Sequence, residues 1–408
     1  MTPAAEPPRH GDPPGPVPPA GSRPTLAQAL ARGALVLDGG LSNQLVAQGC
    51  DLSDDLWSAR LLDDDPAQIE AAHAAYVRAG AQVLITASYQ VSYQGFARRG
   101  LDRRQVDALL RQSVHLARRA AARAGADYPR ADQPETGDPG TGNPAAAGPH
   151  HGAEGRRTTS GRGEAASPGG RSGPSGDTTA RAREEPARAD LATDRAGGGE
   201  PGGGEPARAR TAASGTVWVA GSVGPYGAVL ADGSEYRGRY GLSVRELTDF
   251  HRPRIAALAS ARPDALALET VPDIDEAEAM LWAAESHPIP VWLSYSIQGR
   301  TTRAGQPLER AFALAADNDQ VIAVGVNCCT PADADGAVRL AALVTGKPVV
   351  VYPNSGEGWD ATARDWRGHH TFDPRRVAAW QAEGARLIGG CCRVAPDRIA
   401  DLAKAMHG

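Results

Sequence analysis

The chain is defined first by what it has little of. No stretch of about 18 or more apolar residues occurs, which argues against a transmembrane helix. Residues 1–24 are rich in proline and contain no apolar core of the kind a secretory signal needs. Five cysteines in 408 residues are too few for a disulfide framework. Positive charge is not in excess either. The 43 Lys and Arg against 48 Asp and Glu leave a net charge of −5, so neither nucleic acid nor an anionic membrane is expected as a partner. Lysine is reduced to Lys347 and Lys404 while arginine abounds, a bias from which no function follows. The glycine runs at 197–199 and 202–204 follow no strand and precede no Gly-Lys-Ser/Thr, so they are not phosphate loops. Together these absences describe a soluble cytoplasmic protein with reduced thiols.

Two segments are expected to stay outside any fold. Residues 1–24 form a proline-rich leader, and residues 127–214 string together Gly, Pro, Thr, Glu and Arg with almost no large apolar side chain. Too little apolar surface is present there to offset the entropy of ordering the chain. The second segment reads as a low-complexity, disordered insertion on the surface of one domain spanning 25–408.

What remains alternates between short apolar runs and helical patterns. The runs are 34–37, 82–86, 217–221, 265–269, 290–294, 321–327, 348–352 and 386–390. Continuous Val, Ile, Leu and Ala, without polar alternation, predict strands buried on both faces, as in a parallel sheet. Helices are predicted between them, with Pro66 starting one and Ser243 and Glu246 placed as a capping box for another. Eight strand-then-helix units over about 300 ordered residues predict an α/β fold, a (β/α)8 TIM barrel with the insertion between strands 2 and 3. An open doubly wound sheet is the alternative. The barrel is preferred because polar residues and glycines recur at the C-terminal ends of nearly all the strands, and a barrel converges those ends on one mouth.

Several residues at that mouth are candidates for binding. Asp38 ends the first strand and suits a substrate ammonium, or equally a turn or helix cap. Thr86 and Ser88 lie in a polar cluster where the second strand stops. Glu269 closes a buried apolar strand, where an unpaired carboxylate is expensive; a substrate cation or a wall arginine could pair it. Asn354 lies in Tyr352-Pro353-Asn354-Ser355-Gly356-Glu357, a mix of amide, hydroxyl and aromatic groups that suits a small zwitterion.

The cysteines are the sharpest signal. Cys391 and Cys392 follow an apolar run and two glycines, and Cys328 follows Val326-Asn327 at the end of another run. Three thiols at two strand ends suit a zinc ion with three protein ligands and one open position, although their spacing is not that of structural zinc sites and packing is an even alternative. The Val-Asn-Cys and Gly-Gly-Cys-Cys pair resembles the homocysteine S-methyltransferases. The resemblance extends over Asp38-Gly39-Gly40, residues 86–90, 221–227, Glu269-Thr270 and 352–357. It implies that Cys328, rather than Cys329, joins Cys391 and Cys392 as ligands of Zn²⁺, while Asp38 and Glu269 orient the amino acid. It further implies methyl transfer to the homocysteine thiol with no catalytic group beyond the zinc-activated substrate thiolate. The 352–357 segment and the chain length point to the branch using S-methylmethionine or S-adenosylmethionine. The implied partners are thus homocysteine and a sulfonium donor, with the protein a monomer or homodimer. Betaine as donor, or a zinc- and homocysteine-binding barrel without turnover, are the alternatives.

Overall fold

The computed structural model describes residues 23–124, 215–360 and 365–407, all within one compact unit. The leader through residue 22 and the whole of 127–214 lie outside the described residues. Eight parallel strands form the expected barrel: β1 (Leu35–Val36), β2 (Val83–Ile85), β3 (Trp218–Val223), β4 (Ala265–Val271), β5 (Val291–Tyr295), β6 (Val321–Asn327), β7 (Val349–Tyr352) and β8 (Ala385–Ile388). From β2 to β8 each strand pairs with the next, and β8 pairs with β1 through Leu35–Leu387 and Val36–Ile388. The β1–β2 seam is closed by a parallel bridge between Leu37 and Val83 and by Asp38 N donating to Val83 O at 3.0 Å.

The strands are apolar throughout because both their faces are covered. Leu35, Leu37, Val83, Trp218, Ala220, Ala265, Ala267, Trp292, Ala323, Val350 and Leu387 share the interior cluster. Their strand neighbours, such as Val36, Leu84, Val219, Leu266 and Val351, pack into the layer shared with the helices. The interior mixes two fully or nearly buried tryptophans with small alanines, so the barrel is filled rather than hollow at this level.

A helix that the sequence reading did not anticipate, α1 (Leu26–Arg32), adds Leu26, Ala29 and Leu30 to the interior cluster. Thr25 and Gln28 form a capping box at its start. Arg23, just before it, pairs with Asp264 at 2.9 Å, and Pro24 O accepts from Trp218 Nε1 at 3.1 Å. These contacts tie the end of the leader to the strand starts, so α1 covers the N-terminal end of the barrel.

Capping boxes anchor two of the outer helices, the first of them as the sequence predicts. Ser243 and Glu246 make the capping box of the Val244–Ser260 helix, and Asp102 with Gln105 makes that of Arg103–Arg123. Pro66 opens the Pro66–Arg78 helix, but Asp65 makes no side-chain cap. No helix among the described residues is long and apolar enough to cross a membrane.

Candidate active site

Three sulfurs meet at the C-terminal end of the barrel. The Cys328 Sγ lies 3.3 Å from that of Cys391 and 3.7 Å from that of Cys392, and all three fall within 4.8 Å of one another. The chain reaches this geometry by a sharp exit from β6. Asn327 is the last strand residue, and Cys328 adopts a left-handed backbone, φ 50°. That turn separates the two adjacent thiols. Cys328 joins the sulfur cluster, whereas Cys329 packs in the hydrophobic layer, where burial pushes its thiol well above the usual range.

The Cys391–Cys392 side is braced by two loops. Cys391 N donates to Pro353 O at 2.8 Å, Ser355 N to Cys392 O at 3.0 Å, and Cys392 N to Asn354 Oδ1 at 3.1 Å. Arg393, also left-handed at φ 64°, donates its N–H to Asn43 Oδ1 at 2.7 Å. Gly389 is required here because a Cβ would come within 2.6 Å of the Asp38 carbonyl oxygen.

The electrostatics fit a cation. The Cys391 and Cys392 thiols hold Cys328 well below the usual thiol range, against the opposing effect of its burial. The same contacts push Cys391 and Cys392 up. Three sulfurs placed this way could hold a soft metal ion, which would take the place of thiol protons. Around a tetrahedral metal with metal–sulfur bonds of about 2.3 Å, sulfurs sit roughly 3.8 Å apart. The Cys328–Cys392 separation of 3.7 Å is close to that value, and the Cys328–Cys391 separation of 3.3 Å is somewhat shorter.

A cleft of about 810 Å³, counting the part open to solvent, runs over the three sulfurs. Of the residues singled out in the sequence, Thr86, Glu269 and the three cysteines line it, and Asp38, Ser88 and Asn354 do not. Glu269 is 6% exposed, accepts from Tyr352 OH at 2.9 Å and is bonded by the Ser222 hydroxyl. Burial nevertheless raises its pKa to about 7. Asp38 spends Oδ2 on the Ile85 N–H at 2.9 Å, beside the β1–β2 seam, and burial pushes its carboxyl well up. Thr86 Oγ1 accepts from Ser222 N at 3.0 Å while Ser88 donates to Ser222 O at 2.7 Å, so both hydroxyls cross-link β2 to β3. Asn354 acts on the cysteine turn rather than on the cleft.

Glu235 and Tyr236 are among the cleft residues that sequence reading missed. They sit in a 3₁₀ turn (Ser234–Tyr236) beyond β3, and the Tyr236 hydroxyl hydrogen-bonds to Cys328 Sγ at 3.3 Å. Asp232-Gly233-Ser234 reads as an ordinary polar turn, and no strand end marks the position.

Comparison with known proteins agrees with this geometry. The family model described as homocysteine S-methyltransferase matches residues 35–155 and 204–406. The chain belongs to the homocysteine S-methyltransferase family. It is 37% identical to the homocysteine S-methyltransferase of Escherichia coli K12, covering 90% of this chain and 94% of that one. It is 35% identical to homocysteine S-methyltransferase 4 of Zea mays, covering 92% and 90%. The crystal structure of the Escherichia coli homocysteine methyltransferase MmuM in its metallated form superposes with a TM-score of 0.64 at 35% identity, covering 92% of this chain and 97% of that chain. A family member crystallised with metal agrees with the donor set found at Cys328, Cys391 and Cys392.

Proposed function

We propose that this protein moves a methyl group from a sulfonium donor, S-methylmethionine or S-adenosylmethionine, to the thiol of homocysteine, using zinc held by Cys328, Cys391 and Cys392. The observation that carries the reading is the position of the three sulfurs, gathered in a cleft that also contains the buried carboxylates of Glu235 and Glu269. A free alkyl thiol is mostly protonated at neutral pH, and only the thiolate is a competent nucleophile. Zinc bound by three thiolates supplies the Lewis acidity that keeps a coordinating thiol deprotonated near neutral pH.

The chain's own residues do the rest. Asn327, Asn354 and Asn43 fix the turns that present the cysteines. Glu269, flanked by Thr86 and Thr270 at the cleft wall, is suited to the acceptor's ammonium, while Asp38 and Ser88 set the strand ends around it. The reaction balances simply. The acceptor sulfur forms a bond to the methyl carbon, the donor C–S bond breaks, and its electron pair returns to the donor sulfur. A cationic sulfonium thereby becomes a neutral thioether, and the acceptor thiol's proton is released. Charge is neutralised along this path, so a cleft that excludes bulk water favours it.

The test is methionine formation from homocysteine with S-methylmethionine, S-adenosylmethionine or betaine as donor. Turnover with a sulfonium supports the reading. Turnover with betaine alone moves the donor class, and tight homocysteine binding without turnover from any of them leaves a binding barrel.

A further inference from the structure

We propose that Glu235, with the rings of Tyr236 and Tyr89, forms the subsite for the positively charged sulfur of the methyl donor. The inference rests on the sulfonium-donor reading above and assigns the donor a place opposite the acceptor.

Glu235 is a carboxylate with unfinished bonding. It is 5% exposed, it lines the cleft, and its Oε2 is buried with no hydrogen-bond partner among the described residues. It makes no ion pair among them either. Leaving a buried carboxylate oxygen unsatisfied costs on the order of 1–3 kcal/mol, more when the group is ionised, so such a group in a cleft points to a ligand that completes it.

The turn carrying Glu235 is built to hold it there. Ser234 N donates to Asp232 Oδ1 at 2.9 Å, and Arg237 N and Nη2 reach Ser234 O and Oγ, both at 2.9 Å. Arg239 N donates to Asp273 Oδ2 at 3.0 Å, pinning the far end of the turn to the loop after β4. Gly227 lets the turn lie directly on the preceding helix, since a Cβ there would meet Glu235 N at 2.5 Å.

The cleft offers two carboxylates, and their surroundings differ in the way the two cations differ. An ammonium carries N–H donors and needs several acceptors. Glu269 stands among hydroxyls, those of Ser222 and Tyr352 bonded to it and that of Thr86 nearby in the wall. A trialkylsulfonium has no donor hydrogen. It is a soft, weakly hydrated cation that is held by charge and by aromatic faces. Glu235 adjoins Tyr236, and Tyr89 lines the same cleft. One face of Tyr236 is already visited by Arg303, whose guanidinium carbon lies 5.5 Å from the ring centroid, and the Tyr236 hydroxyl touches Cys328 Sγ. A cation held beside Glu235 is therefore close to the sulfur cluster.

The experiment is steady-state kinetics of Glu235→Gln in the full-length, metal-loaded protein, varying homocysteine and S-methylmethionine separately. The expected result is a KM for S-methylmethionine raised at least tenfold, with the homocysteine KM and the metal content unchanged. An unchanged donor KM, or a rise confined to homocysteine, overturns the assignment. Glu235→Asp keeps the charge and should recover part of the donor affinity. A parallel measurement uses wild-type protein, so it does not depend on the folding of any variant. An alkyl dimethylsulfonium should bind at least tenfold tighter than its uncharged isobutyl-type isostere and compete with S-methylmethionine, not with homocysteine. Equal binding of the two, or competition with homocysteine, overturns the subsite. If wild type shows no methyl transfer from any sulfonium, the functional reading fails. Calorimetric titration of the alkyl dimethylsulfonium into wild type and Glu235→Gln still decides the subsite, with loss of binding in the variant supporting it and equal binding overturning it.

Discussion

Asn327 and Thr270 hold each other through two hydrogen bonds: Thr270 N donates to Asn327 Oδ1 at 2.8 Å, and Asn327 Nδ2 donates to Thr270 Oγ1 at 2.7 Å. Both bonds are buried, and both flank left-handed backbone, at Thr270 with φ 58° and at Cys328 with φ 50°. Non-glycine residues held there cost on the order of 1–3 kcal/mol each, which surrounding bonds must offset. The pair thus ties the end of β4 to the turn that aims Cys328. Replacing Asn327 with Ala should weaken metal binding about 10- to 100-fold, as loss of groups supporting metal ligands commonly does. Competition with a chelator reads this directly, and unchanged affinity would remove the bracing role.

The adjacent cysteines should separate cleanly. Cys328→Ala, Cys391→Ala and Cys392→Ala are each expected to lose metal and methyl transfer together. Cys329→Ala should keep both and lose roughly 1 kcal/mol of stability, as a small packing defect does. Metal analysis of the four purified, reduced variants checks this. A metal-free Cys329 variant with a normal fold would reverse the assignment of the two neighbours.

This distinction marks the limit of what the sequence shows. The parallel barrel was legible because runs such as 321–327 stay apolar on both faces, a pattern local to each strand. The cysteine motifs were legible because they sit at strand ends. Helix α1 was missed because its capping box, Thr25 and Gln28, adjoins the proline-rich leader. Glu235 and Tyr236 were missed for a different reason: only the tertiary fold brings a polar turn beyond β3 onto Cys328. Asp38 and Ser88 look alike in sequence to residues that face a ligand. The structure engages Asp38 Oδ2 with the Ile85 N–H and the Ser88 hydroxyl with Ser222 O, bonds which no spacing rule anticipates.

Backbone proximity gives a paired prediction from two glycines. In β6, a Cβ on Gly325 would lie 1.8 Å from the Val350 carbonyl oxygen, so Gly325→Ala must push β6 and β7 apart. A loss of about 3 kcal/mol or more, or failure to fold, is expected. Gly336 lies inside the Pro331–Thr345 helix with open space around it, and Gly336→Ala should stabilise by about 0.5–1 kcal/mol. Denaturant midpoints of the two variants should move in opposite directions.

Acid sensitivity should trace in part to His73. The ring is fully buried, both its nitrogens lack partners among the described residues, and burial depresses its pKa from 6.5 to about 4. The unfolded chain therefore binds the proton more readily than the folded one. The stability associated with neutral His73 is complete above pH 6.5 and is lost as pH falls through about 4. The loss is about 3 kcal/mol in all. Unfolding of wild type and His73→Leu at pH 7 and pH 4.5 should show a smaller acid loss in the variant; equal losses would exclude His73 as a source.

The most direct test of the central claim is zinc content together with X-ray absorption at the zinc edge, before and after adding homocysteine to the reduced, full-length protein. The account predicts about one zinc per chain with three protein sulfurs, and one more sulfur in the coordination shell once homocysteine is bound. A shell that does not change on adding homocysteine, or methyl transfer by protein that holds no metal, would contradict it.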